Sequence, residues 1–127
     1  LKGLVLLMDD DEIVRETAMN MLLRLGLDVL VAKEGREALD IYSRHMNGAQ
    51  PVDLVILDLT VPGGMNGIET IARLREMDPG VRALVSSGYS NDQILANYSD
   101  YGFIDIITKP YRMKDIQELL RKYLESS

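Results

Sequence analysis

Short apolar runs alternate with amphipathic stretches along the whole chain, the signature of repeated βα units. Leu4 to Met8 is unbroken apolar sequence, as a strand buried on both faces requires. Val14, Ala18, Met21, Leu22 and Leu25 then recur at offsets of 4, 7, 8 and 11, one stripe of a helix that Gly26 ends. Leu27 to Ala32 reads as a second strand, and Asp28 within it points to a sheet edge. Glu34 to about Met46 reads as a helix with Ala38, Leu39 and Tyr42 inward, ended by Asn47-Gly48.

The pattern repeats in the second half. Val52 to Leu57 is the third expected strand, followed by the loop Pro62-Gly63-Gly64. Asn66 and Glu69 have the spacing of a helix cap and its capping-box partner. The helix they open carries Ile68, Ile71, Ala72 and Leu74 and stops at Asp78-Pro79-Gly80. Val81 to Val85 and Phe103 to Ile107 are the fourth and fifth strands, with a short polar helix expected over Asn91 to Tyr98. Met113 to Leu124 is the last helix, with Ile116, Leu119, Leu120, Tyr123 and Leu124 on one face. Five such units imply an α/β fold, a parallel sheet covered on both sides by right-handed crossovers.

Composition removes whole classes of chemistry. With 127 residues the chain is the size of one domain. It has no cysteine and one histidine, His45, which excludes disulfides, thiolate metal sites, cysteine nucleophiles and multi-histidine metal centres. The net charge of −6 disfavours binding to nucleic acid or to an anionic membrane surface. No apolar run approaches the ~20 residues that cross a bilayer. Lack of cysteine fits a reducing, cytoplasmic setting. The start at Leu1 rather than Met fits a single domain, residues 1–127, excised from a longer protein.

In open parallel sheets the functional crevice lies beyond the carboxyl ends of the strands. Asp9, Asp10 and Asp11 follow the first strand, Asp58 the third, Ser86 and Ser87 the fourth, and Lys109-Pro110 the fifth. Each signal has an ordinary reading: a helix cap, a turn residue, loop serines, a strand end. Together they fall on one rim, and there Asp9, Asp10 and Asp58 would repel one another unless a cation joined them. Oxygen ligands select a hard ion, and few protein ligands with room for water suit Mg²⁺ better than Ca²⁺. A metal, a lysine and a hydroxyl around a carboxylate suit a phosphoryl group, with Asp58 as ligand or nucleophile.

The ordered set Leu4 to Glu12, Leu54 to Asp58, Ser86-Ser87-Gly88 and Thr108-Lys109-Pro110 resembles the receiver (CheY-like) domain of two-component response regulators over essentially the whole chain. The resemblance implies a flavodoxin-like, doubly wound (βα)5 domain with strand order 2-1-3-4-5. It also implies that Asp58 accepts a phosphoryl group from a phosphohistidine of a histidine kinase or histidine phosphotransfer protein. Asp9 and Asp10 match the acidic pair that holds Mg²⁺, Asp10 being the direct ligand, with Asp58 and the Thr60 carbonyl completing the protein's share. Ser87 matches the hydroxyl that meets the phosphoryl group, and Lys109 the lysine that pairs with its oxygen. Lys109-Pro110 is expected to be cis. His45 is expected to be a surface residue, the donor histidine coming from the partner.

Three departures stand out. Ile106 occupies the position usually held by a switching aromatic, for which Tyr101 or Tyr111 is a candidate substitute. The loop Pro62 to Gly67 is one residue longer than the common form. Tyr89, two residues past Ser87, is expected to shield the phosphoryl site from water. The glycine pair and Ser86-Ser87-Gly88-Tyr89-Ser90 are similar to receivers fused to sensor histidine kinases, a hybrid arrangement. The domain is expected to be a monomer or weak dimer, with its usual partner face on the last two helices and the fifth strand. Tyr98, Tyr101, Arg112 and Tyr123 are candidates to decorate that face. A competing class is a Mg²⁺-dependent phosphatase with an aspartate nucleophile, of the haloacid-dehalogenase type. That class wants a second acid at position 60, where this chain has Thr60. A third reading is a receiver that binds proteins without being phosphorylated, for which loss of an acid or of the lysine would be the sign.

Overall fold

The structure is a computed structural model and describes residues 1–88 and 93–124. Five parallel strands form one sheet in the order β2-β1-β3-β4-β5. They are β1 (Leu4–Met8), β2 (Asp28–Ala32), β3 (Leu54–Asp58), β4 (Ala83–Ser87) and β5 (Asp105–Thr108). The helices are α1 (Glu12–Arg24), α2 (Gly35–Met46), α3 (Gly67–Met77), α4 (Gln93–Ala96) and α5 (Met113–Leu124). The expected order 2-1-3-4-5 is thus the observed one, and β2 with Asp28 is an edge strand.

Alternation along each strand divides the core into two layers. Leu6, Met8, Val55, Leu57, Ala83 and Val85 pack with Ala38, Tyr42, Ile71, Leu74 and Leu95, from α2, α3 and α4. Val5, Leu7, Leu54, Ile56, Leu84 and Ile107 pack with Ala18, Leu22, Ile116 and Leu120, from α1 and α5. All five residues of β1 and of β3 are buried, which explains the apolar runs Leu4 to Met8 and Leu54 to Leu57.

The starts of α1 and α3 follow the capping logic read from the sequence, whereas Glu34, expected inside the second helix, is its cap. Asp11 caps α1, accepting from the N–H groups of Ile13 and Val14 at 3.0 and 3.2 Å. Asn66 caps α3 by accepting from the Glu69 N–H at 3.0 Å. Glu34 caps α2, accepting from the N–H groups of Arg36 and Glu37 at 3.0 and 2.8 Å.

Some expectations need correction. β3, β4 and β5 each begin two residues later than the apolar pattern suggested, and β3 to β5 run on into Asp58, Ser86-Ser87 and Thr108. The ladder bonds are made by the backbone and are indifferent to side-chain polarity. Ala72 is exposed, and Thr70 instead is buried on α3. Thr70 can sit there because its hydroxyl donates to the Asn66 carbonyl at 2.6 Å. The helix expected over Asn91 to Tyr98 is, within the described residues, one turn at Gln93–Ala96 followed by a 3-10 turn at Tyr98–Tyr101. Tyr89, Ser90 and Asn91 lie outside the described residues.

Candidate functional site

Strand parity explains why these particular side chains meet. Asp9 continues the Val5, Leu7 series, Asp58 the Leu54, Ile56 series and Lys109 the Asp105, Ile107 series. All three sit at the same end of the sheet in phase with the layer under α1 and α5. Neighbouring backbones are locked past the last apolar residue. Asp9 N–H donates to the Ala32 carbonyl at 3.0 Å, Leu59 N–H to Ser86 at 2.9 Å and Lys109 N–H to Ser87 at 3.0 Å.

The Lys109 ammonium lies 2.8 Å from Asp9 Oδ2 and 3.1 Å from Asp58 Oδ1. Asp9 is fully buried and Asp58 nearly so, while Asp10 is exposed. Carboxylate oxygens of Asp9, Asp10 and Asp58 all lie within 4.8 Å of one another. One concavity is lined by Asp9, Asp10, Asp58, Thr60, Ser87 and Lys109 together, which are all the site residues expected from the sequence. Asp11, the third acid of the run, is the helix cap and not part of this acid cluster.

The electrostatics are those of an acidic pocket with one resident cation. Burial and the neighbouring Asp9 charge push the Asp58 carboxyl up to about 6, against the pull of Lys109 and of the Thr60 N–H. Thr60 N–H is 3.4 Å from Asp58 Oδ1. Burial alone would lower the Lys109 ammonium, but Asp9 and Asp58 outweigh it and hold the lysine above its ordinary value. Three oxygen donors converge here and no soft ligand is among them, so the set suits a hard divalent ion such as Mg²⁺.

Other contacts brace the site. Asp11 N–H donates to Asp9 Oδ1 at 2.9 Å, and Arg15 Nη1 donates to the Asp9 carbonyl at 2.9 Å. Gly67 opens α3 directly against the end of β3, since a Cβ there would lie 2.6 Å from the Asp58 carbonyl oxygen. The Lys109–Pro110 peptide is cis, as expected.

Two partners escaped the sequence reading. Tyr111 is buried, and its hydroxyl is hydrogen-bonded to Ser86 Oγ. The resemblance singled out Ser87 of the pair Ser86-Ser87 for the site and left Ser86 without a role; Ser87 lines the concavity, while Ser86 bonds to Tyr111. Glu34, 31 residues from Met65, accepts a long 3.4 Å contact from its N–H, while Gly35 N–H donates to the Met65 carbonyl at 2.9 Å. The loop after Asp58 is therefore seated on the start of α2. Ile106 is half-buried in the α2–α4 layer, and Tyr101 is exposed. His45 lies in the last turn of α2, its Nδ1 3.3 Å from the Gln50 carbonyl.

The chain matches the Response regulator receiver domain family over residues 5–121. It is 28% identical over 120 residues to sporulation initiation phosphotransferase F of Bacillus subtilis, covering 94% of this chain and 92% of that protein. It is 30% identical over 119 residues to chemotaxis protein CheY of Thermotoga maritima, covering 93% and 94% respectively. Other curated relatives are longer, and the chain spans less than half of them. In fold it superposes on the structure of Vibrio cholerae chemotaxis protein CheY4 with a TM-score of 0.85 at 22% identity, over 98% of this chain and 100% of that one. Among the described residues no helix is long and apolar enough to cross a membrane.

Proposed function

The chain belongs to the response regulator receiver domain family of two-component signalling, and from that premise we propose that Asp58 accepts a phosphoryl group from a phosphohistidine. The donor is a histidine kinase or a histidine phosphotransfer protein. The observation that carries this reading is the ammonium of Lys109 held at 2.8 and 3.1 Å from Asp9 and Asp58 within a cluster of three carboxylates. A cluster of three carboxylates, two of them buried, is costly to maintain, and a cation-binding, phosphoryl-accepting role accounts for it.

Asp58 is the nucleophile. With its carboxyl pushed up to about 6 it is mostly ionised at neutral pH and still more basic than an ordinary aspartate. One of its oxygens forms a bond to phosphorus as the donor's P–N bond breaks, and the electron pair of that bond returns to the imidazole nitrogen. Lys109 meets charge on a phosphoryl oxygen, and the Ser87 hydroxyl meets another. Asp9, Asp10, Asp58 and the Thr60 carbonyl are the groups that would hold Mg²⁺, which when bound offsets the negative charge of donor and acceptor. Water later cleaves the acyl phosphate, returning Asp58 to a carboxylate and resetting the domain.

The likeness of the glycine pair and of Ser86-Ser87-Gly88 to receivers fused to sensor histidine kinases supports a cytoplasmic hybrid-kinase arrangement, a free-standing regulator being the alternative.

Intact mass after incubation with acetyl phosphate and Mg²⁺ tests the proposal. One phosphoryl group should be gained by the wild type and none by Asp58→Asn or by the metal-free protein. No gain from acetyl phosphate or from a phosphohistidine donor would leave a binding module. Phosphate release that continues in catalytic excess from simple phosphomonoesters would instead favour the phosphatase class.

A further inference from the structure

Lys109 is anchored to β4 on both sides of its own position. Before it, its backbone N–H donates to the Ser87 carbonyl at 3.0 Å. After it, Tyr111 enters the layer shared by Ile116 and Leu120 of α5, and its hydroxyl bonds to Ser86 Oγ. Ser86 is fully buried and Tyr111 is 9% exposed. Burial pushes the Tyr111 phenol up to about 12, so the pair is uncharged at physiological pH.

Ser86 also belongs to the acceptor strand's surroundings. It is the register partner of Asp58, and its carbonyl accepts from the Leu59 N–H at 2.9 Å. One residue thus touches β3 beside the acceptor through its backbone and the lysine loop through its side chain. Packing alone does not call for these hydroxyls. A phenylalanine and an alanine would fill the same apolar layer without two buried polar atoms that need each other. What the bond adds is direction: it fixes where the chain stands two residues beyond Lys109.

We infer that Ser86 and Tyr111 form a positioning pair that sets the reach of Lys109 toward a phosphoryl group on Asp58. The inference rests on the phospho-acceptor reading above. Its reach is through the lysine alone, so it bears on the rate of phosphoryl acceptance and not on metal binding.

The experiment measures acyl-phosphate formation from acetyl phosphate at saturating Mg²⁺, with Mg²⁺ affinity read separately by calorimetry. Tyr111→Phe and Ser86→Ala should each slow phosphorylation roughly tenfold, since small misplacements of a charge-stabilising group carry penalties of this order. The double variant should be no slower than the slower single one, because the two hydroxyls act as a unit. Mg²⁺ affinity should stay within about twofold of wild type in all three. On the slower Lys109→Ala background, Tyr111→Phe should have no further effect on the rate. A merely structural role would slow that background as well, and such a result overturns the inference. So does an unchanged rate in Tyr111→Phe when the wild type is phosphorylated; if that variant does not fold, Ser86→Ala decides by the same criteria. A wild type that takes no phosphoryl group from any donor overturns the phospho-acceptor reading itself, and this inference with it.

Discussion

Two influences oppose each other at Asp58. Burial and the Asp9 charge favour the protonated acid, while Lys109 and the Thr60 N–H favour the carboxylate, and the first pair wins, leaving the group at about 6 rather than 3.8. The sign for stability follows from linkage. Between those two values the folded protein binds a proton that the unfolded chain has released, so the contribution of Asp58 is fully present below 3.8 and is lost as pH rises through about 6. The difference corresponds to ~3 kcal/mol at most, and screening at the open rim reduces it to about 1–2 kcal/mol. Asp58→Asn should therefore stabilise the metal-free protein by about 1–2 kcal/mol at pH 7.5, and by much less at pH 4.5. Urea denaturation at the two pH values checks this, and a gain equal at both would refute the assignment. Lys109→Ala should act in the opposite direction. It strips two buried carboxylates of their cation and should cost about 3 kcal/mol at neutral pH. The loss should shrink toward pH 5, where Asp58 can take up a proton. Both effects depend on residues 9, 58 and 109 being neighbours, which the strand-end rule predicts from the sequence.

Elements were legible to different degrees, for physical reasons. β1 could be read to the residue because all of it is apolar and it is bounded by Gly3 and Asp9. β3, β4 and β5 were displaced because their last residues are polar groups whose backbones remain in the ladder. Val52, Val81 and Phe103 lie before their strands, and Val81 and Phe103 are buried there, so hydrophobicity marks the core and not the hydrogen-bonded span. The short helix after β4 carries little periodic signal, since four residues complete barely one turn. Least legible was the seat of the loop after Asp58, which depends on Glu34 and Gly35, far away in the chain. A Cβ at Gly35 would lie 2.0 Å from Thr70 Oγ1 and 2.6 Å from Met65 Cγ. Gly35→Ala must therefore push α2 away from both α3 and the loop, and it should destabilise the fold by roughly 2–3 kcal/mol. Glu34→Ala removes the α2 cap and one of the loop's contacts, with an expected loss of about 1 kcal/mol. Thermal unfolding of the two variants tests the ranking: a Glu34→Ala loss larger than that of Gly35→Ala would mean the cap, not close packing, holds this junction.

At the scale of the whole molecule, periodicity could establish a two-sided parallel sheet but not its strand order, because every buried strand presents the same apolar pattern. The order came from the resemblance, and the sheet confirms it. That order has an energetic consequence. It places β1 beside β3, and so brings Asp9 and Asp58 together in a domain whose net charge is already −6. Lys109, just past the far edge strand, reaches across to both, but one ammonium does not balance three carboxylates. A divalent ion at this rim would then stabilise the fold as a whole, since four strands end on the site. At a free concentration ten times its dissociation constant, Mg²⁺ should add about 1.4 kcal/mol by mass action. For a domain of this size that is a rise of roughly 3–5 °C in melting temperature. NaCl at matched ionic strength should give little of it, because screening weakens repulsion without coordinating any oxygen. Asp10 is exposed and contributes nothing to the buried ion pairs, so Asp10→Asn should leave the metal-free melting temperature nearly unchanged while removing most of the Mg²⁺-dependent rise. An equal rise in wild type and Asp10→Asn would place the ion elsewhere on the acidic surface, and would detach the stability of this fold from the chemistry at its rim.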